Sequence, residues 1–216
     1  MIDLRLYALL DPERAAGRDL AHLAREIATG GATLLQLRDK SGSTRHMIEE
    51  ARAIRSAANL PLIVNDRADV ALASGADGVH VGWDDITVED ARRLLGSKAI
   101  IGLSIKTMQQ AQRAPLHLLD YVCIGGVFAT SSKDNPDPPI GVAGFKTLAA
   151  AIRARAPKLR VGAIAGIDAH NAAPLIEAGA DGIAVISALS LASDPKEAAR
   201  TLRGIVDAAI GKRSAA

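Results

Sequence analysis

The stretch Gln36-Leu37-Arg38-Asp39-Lys40 carries an amide, a guanidinium and an ammonium within five residues. It follows Ala32-Thr33-Leu34-Leu35, which reads as a short buried strand. Alternate residues of a strand share a face. Leu34, Gln36 and Arg38 therefore point one way, joined by Lys40 if the chain stays extended, while Leu35 and Leu37 point the other. A planar fork beside a compact point charge suits a phosphate or diphosphate. The plainer alternative is that Arg38 and Lys40 leave the sheet for solvent and pair with Asp39.

Other chemistry-bearing residues follow at strand-like intervals. Asn65-Asp66 ends one apolar run, and Asp84-Asp85 follows the next. Paired carboxylates beside phosphate-binding cations suit Mg²⁺, which takes one or two carboxylates, waters and phosphate oxygens. Helix capping and a general acid/base pair are the other readings of these aspartates. Thr130-Ser131-Ser132-Lys133 offers three hydroxyls and an ammonium, a candidate anion clamp. Gly166 and Ser187 follow two later strands, where backbone N–H groups at a helix start can bind phosphate. His80 lies inside a strand and reads as a core or supporting residue. His22, His46, His117 and His170 fall on helices or helix ends and read as surface. Cys123 reads as core, and Trp83 as a pocket wall or a cover on the rim.

The elements that must position these groups alternate regularly. Strands are expected at Leu4–Leu10, Thr33–Arg38, Pro61–Asn65, Asp77–Val81, Ala99–Leu103, Leu119–Ile124, Leu159–Ile164 and Asp181–Ile186. Helices are expected at Asp19–Ala28, Ser43–Ala58, Ala68–Ser74, Thr87–Leu95, Thr107–Ala114, Val142–Ala156, Asp168–Ala178 and Asp194–Ile210, several closed by glycine. The strands lack clean alternation, as expected when both faces of a parallel sheet are buried. Ser74-Gly-Ala-Asp-Gly-Val-His-Val81 resembles Ala178-Gly-Ala-Asp-Gly-Ile-Ala-Val185, a helix-ending glycine leading into a strand. Eight such units predict one closed (β/α)8 barrel, a TIM barrel, over residues 1–216. A flavodoxin-like or Rossmann sheet needs fewer strands, and no Gly-x-Gly-x-x-Gly follows the first strand. In a barrel all the groups named above share the C-terminal face. The longest irregular stretch, 125–141, is expected to be a binding loop over that face.

The bulk numbers agree. The chain has 216 residues, 49% of them hydrophobic but only 2% aromatic, so aliphatic side chains must fill the core. The net charge is +2 with no basic block, which argues against nucleic-acid binding. Cys123 is the single cysteine, so no internal disulfide forms, and a reducing cytoplasm is the expected location. No apolar run approaches the ~20 residues of a membrane span, and the N-terminus lacks the form of a signal peptide. Whether the protein forms a homo-oligomer is left open.

Taken in order, Gln36-Leu-Arg-Asp-Lys40, Val64-Asn-Asp-Arg67, Gly75-Ala-Asp-Gly-Val-His-Val-Gly82 with Asp85, Gly102-Leu-Ser104, Thr130-x-Ser-Lys133, Ala165-Gly-Ile167 and Val185-Ile-Ser187 resemble the thiamine phosphate synthase family. The resemblance runs from about Leu6 to Arg200. It implies a transferase that joins a hydroxymethylpyrimidine diphosphate to a hydroxyethylthiazole phosphate, or its carboxylated form, and releases diphosphate. Carried over by motif, Gln36 to Lys40 (including Leu37 and Asp39), Asn65, Ser104 and Lys133 would contact the pyrimidine diphosphate. Thr130, Ser132, Gly166, Ile186 and Ser187 would hold the thiazole phosphate, with Ser131 a further substrate-binding residue. Asp66 and Asp85 would hold Mg²⁺, with Asp84 the competing second ligand. Arg38, Lys40, Ser104 and Lys133 would form the catalytic set. Three positions depart from the family pattern: Trp83 where Gln is frequent, Ala129 in place of Pro, and Ala165 in place of the first Gly of a pair. A thiazole tautomerase on the same barrel, or a non-catalytic phosphate-binding barrel, are the competing readings. The first needs a His near the end of strand five, where Ser104 stands.

Overall fold

Each unit of the chain is built by local signals that work as the sequence suggests. Asp19, Ser43, Thr87 and Thr107 accept the N–H three residues on and so start α1 (Leu20–Gly30), α2 (Thr44–Ala57), α4 (Val88–Leu95) and α5 (Met108–Arg113). Between α2 and α4 lies α3 (Ala68–Ser74), and α6 (Gly141–Arg155), α7 (Ala172–Glu177), α8 (Ser187–Ser190) and α9 (Pro195–Ala215) complete the helices among the described residues. The computed structural model describes residues 2–130 and 138–215.

Eight parallel strands separate these helices: β1 (Leu6–Leu10), β2 (Leu34–Leu37), β3 (Leu62–Asn65), β4 (Gly78–Val81), β5 (Ile100–Ile105), β6 (Tyr121–Ile124), β7 (Arg160–Ile164) and β8 (Gly182–Val185). Each pairs with the next in sequence, and β8 returns to β1 with Leu6 opposite Ile183, closing a TIM barrel. No helix among the described residues is long and apolar enough to cross a membrane.

Both strand faces are apolar but face different layers. Leu35, Leu37, Val79 and Val81 point outward into the ring of helices, while Tyr7, Leu9, Leu34, Ile63, Tyr121 and Cys123 point inward and fill the barrel. The repeated Gly-Ala-Asp-Gly motif closes the N-terminal end. Asp77, just before β4, accepts the Leu62 N–H at 2.8 Å, and Asp181, just before β8, accepts the Val161 N–H at 2.8 Å. Each carboxylate thus satisfies a backbone donor at the start of the preceding strand.

Three expectations shift. Helix α7 starts at Ala172 instead of Asp168, because Asp168 and Asn171 instead close a turn: the His170 N–H donates to Asp168 at 2.8 Å and the Asp168 N–H to Asn171 at 2.9 Å. The last helix runs to Ala215, beyond Ile210. Strand β5 extends through Ser104 to Ile105, which makes Ser104 a strand residue with a fixed direction. The segment 125–141 is described at its two ends, which are pinned together: the Ile140 N–H donates to Gly126 O at 3.0 Å and the Gly141 N–H to Val127 O at 2.9 Å.

Candidate functional site

The C-terminal ends of the strands surround a cavity of ≈ 460 Å³. Its wall includes Gln36, Arg38, Asn65, Ser104, Thr130, Gly166, Ile186 and Ser187, eight of the residues singled out in the sequence. Strand alternation puts them there: Gln36 and Arg38 both lie on the inward face of β2, while Leu37 is fully buried among the outer helices. Leu37 therefore directs its side chain away from the cavity. Asp39 is also turned away from a ligand role, since its carboxylate accepts the Ser41 and Gly42 N–H groups at 3.0 and 2.7 Å and shapes the β2–α2 turn.

The cations do not pair with Asp39. Arg38 forms an ion pair with Asp11, a carboxylate only 1% exposed just past β1. Lys40 reaches across to Asp66 at the end of β3. The Asn65 amide donates to the same Asp66 oxygen at 2.6 Å. Asp66 itself sits at φ +61, a left-handed conformation that non-glycine residues adopt at a cost. The Asp66 N–H donates to His80 O at 2.8 Å and holds that turn.

Asp85 completes a rim cluster with these groups. Its carboxylate accepts the Gly82 N–H at 2.8 Å. Partial burial, and next the neighbouring Asp66, push its carboxyl above the usual range, while Lys40 opposes the shift. A carboxyl raised in this way, with a second carboxylate among the causes, marks a site a cation would relieve. Trp83 covers the rim beside them and donates its indole N–H to Ser104 O at 3.0 Å.

On the opposite wall Ala165 and Gly166 take φ +97 and +65. Ala165 O accepts the Phe128 N–H at 3.1 Å, which ties the β7 end to the β6 loop. A side chain at Gly166 would run into Ala129 O and Phe128, so glycine is required there for space as well as for φ. Cys123 lies on the floor, and burial pushes its thiol up to about 12. His80 is 4% exposed and bonded through both ring nitrogens, as a supporting residue should be. Ser131, Ser132 and Lys133 lie outside the described residues.

Sequence reasoning missed three contributors. Asp11, just past β1, stands before Pro12 and carries in sequence only the signal of a turn. Lys106 lines the cavity two residues beyond Ser104, and the i, i+2 alternation that selected Arg38 from Gln36 selects it too. Tyr7 on the cavity wall has no polar neighbour in sequence that would single it out from core.

A (β/α)8 barrel whose strand ends converge cations, hydroxyls, backbone amides and a carboxylate pair on one cavity has the form of an enzyme site for anionic small molecules. Comparison with known proteins narrows this. The family model for thiamine monophosphate synthase matches residues 6–189. The thiamine-phosphate synthase of Agrobacterium fabrum is 54% identical over 215 residues, covering 98% of each chain. That of Chloroflexus aurantiacus is 46% identical over 209 residues, covering 95% of this chain and 94% of the other. Among solved structures, a thiamine phosphate pyrophosphorylase from Pyrococcus furiosus superposes with a TM-score of 0.83 at 35% identity, covering 97% of this chain and 98% of that one. The chain belongs to the thiamine monophosphate synthase family, a family of enzymes.

Proposed function

We propose that this protein condenses 4-amino-2-methyl-5-hydroxymethylpyrimidine diphosphate with 4-methyl-5-(2-hydroxyethyl)thiazole phosphate, or its carboxylated form, and releases diphosphate and thiamine phosphate. The whole chain acts as one barrel in a reducing cytoplasm; the loop expected over its mouth, 125–141, lies in part outside the described residues. The observation that carries this reading is the convergence of Arg38, Asn65 and Ser104 on one cavity, with the Lys40–Asp66–Asp85 cluster at its rim.

Diphosphate leaves only when its developing charge is neutralised. Arg38, Lys40 and Lys133 supply that charge, and the Arg38 fork is oriented in advance by buried Asp11. Asp66 and Asp85 would hold Mg²⁺, which when bound neutralises phosphate oxygens. The upward shift of Asp85, to which burial and the neighbouring Asp66 contribute, is what makes the pair fit such an ion. Thr130, Gly166, Ile186 and Ser187 line the far side of the cavity and would receive the thiazole phosphate, joined by Ser131 and Ser132. The thiazole nitrogen is the nucleophile that attacks the pyrimidine carbocation, so no side chain needs to form a covalent bond.

The test is a pair of variants. Removing Arg38 alone would strand the buried Asp11 charge and threaten the fold, so Asp11→Asn/Arg38→Ala is the informative double change. It and Lys133→Ala should each lower turnover about 10²-fold or more, with circular dichroism unchanged. Near-normal turnover in both would overturn the site assignment.

A further inference from the structure

Between Gln36 and Ser104, on opposite sides of the barrel, the floor of the cavity holds an unbroken line of polar groups. The Gln36 amide donates to the Tyr7 hydroxyl. The Tyr7 and Tyr121 hydroxyls are 2.8 Å apart, Tyr121 is 3.0 Å from His80 Nδ1, and His80 Nε2 is 2.9 Å from Ser104 Oγ. Tyr7 meets Tyr121 edge-on at 5.7 Å, and His80 stacks on Tyr121 at 5.5 Å. Gly102 makes the room, since a side chain there would collide with the Tyr121 ring and His80. Gln36, Tyr7, Tyr121 and His80 are each 4% exposed or less.

Each hydroxyl has one proton to give, and a buried donor left without an acceptor is costly. Tyr7 accepts from Gln36, so its own proton goes to Tyr121. The Tyr121 proton then goes to His80 Nδ1. That places the imidazole proton on Nε2, where it is given to Ser104, and turns the Ser104 hydrogen toward the cavity. At the other end Gln36 Oε1 is buried with no partner among the described residues, an acceptor waiting for a donor. Flipping the Gln36 amide reverses every bond in the line: Gln36 then shows N–H groups and Ser104 shows a lone pair. In either state the two ends present opposite senses.

We propose that Tyr7, Tyr121 and His80 are positioning residues that couple Gln36 to Ser104, so that the site selects a ring offering a donor at the Gln36 end and an acceptor at the Ser104 end. This favours an aminopyrimidine over its oxo counterpart, whose oxygen would face the Gln36 acceptor. The identity of the ring rests on the condensation reading above; the coupling does not.

The test reads the tautomer of His80 by ¹⁵N NMR of histidine-labelled protein, with His80→Gln used only to assign the signal. The free protein should show neutral His80 protonated at Nε2, and the aminopyrimidine diphosphate should leave it so. The aminopyrimidine diphosphate should bind ~10-fold or more tightly than the 4-oxo analogue, because the oxo ring leaves buried groups mispaired. Tyr121→Phe cuts the line, and the preference should shrink to about threefold or less; Tyr7→Phe makes an equivalent cut if that variant does not fold. A proton on Nδ1 in the free protein would mean the line rests in its reversed sense and would overturn the selectivity, and an imidazolium, or a preference unchanged by the cut, would overturn the coupling. If neither pyrimidine binds the wild type, the condensation reading and the selectivity fall together, while an imidazolium in the free protein would still overturn the coupling.

Discussion

Ala165 stands at φ +97, where a side chain is strained whatever space surrounds it. The conformation is held by its neighbours: its carbonyl accepts the Phe128 N–H, and Gly166 beside it is packed against Ala129 and Phe128. Ala165→Gly removes the strain, about 1–3 kcal/mol for a residue held outside its normal backbone regions. Against this, glycine gives the unfolded chain more freedom, about 0.4–1 kcal/mol. One half-buried methyl is also lost, roughly 0.4 kcal/mol from the methylene scale. The balance is a gain centred near 1 kcal/mol, or about 2–4 °C in Tm for a chain of this size. Urea unfolding should show the midpoint moving up with the slope unchanged. Gly166→Ala, one residue on, should destabilise by several kcal/mol, since it adds both strain and a collision. A loss of stability in Ala165→Gly would refute the reasoning and show that packing of the methyl outweighs the backbone.

Asp85 has a raised pKa in the folded protein, so its contribution to stability is fully present below the ordinary Asp value and is lost as pH rises through the raised one. Asp85→Asn should therefore stabilise the fold near pH 7 without Mg²⁺, by under about 1 kcal/mol because the site is solvent-screened, and the gain should vanish in acid. Saturating Mg²⁺ should raise the Tm of the wild type and not of this variant, which differential scanning fluorimetry would read. The Cys123 thiol, pushed up to about 12, should resist alkylation at pH 8 in the native state and react at once in denaturant. Trp83 is the single tryptophan and sits at the β4–β5 rim, so its emission should change when Mg²⁺ and the pyrimidine diphosphate bind. An unaltered spectrum at saturation would place the ligand elsewhere.

The barrel was legible because most units carry local signals: a short apolar run, and an N-cap or a terminating glycine on the helix. The inward direction of Gln36 and Arg38 followed from alternation alone. What stayed hidden depends on closure of the sheet. Arg38 meets Asp11 and Lys40 meets Asp66 only because neighbouring strand ends lie side by side, and each pair is separated by about 26 residues or more along the chain. The left-handed turns at Asp66 and Ala165 have no glycine to announce them. The line from Gln36 to Ser104 crosses the barrel interior, and Tyr7 and Tyr121 read as ordinary core until their hydroxyls are seen to meet.

The most direct test of the central claim is a product assay. The purified protein is incubated with the pyrimidine diphosphate, the thiazole phosphate and Mg²⁺, and thiamine phosphate and diphosphate are quantified together. The account predicts equal amounts of the two products, with formation abolished by EDTA. No thiamine phosphate from the two precursors, or a thiazole phosphate that is isomerised without any diphosphate release, would contradict it.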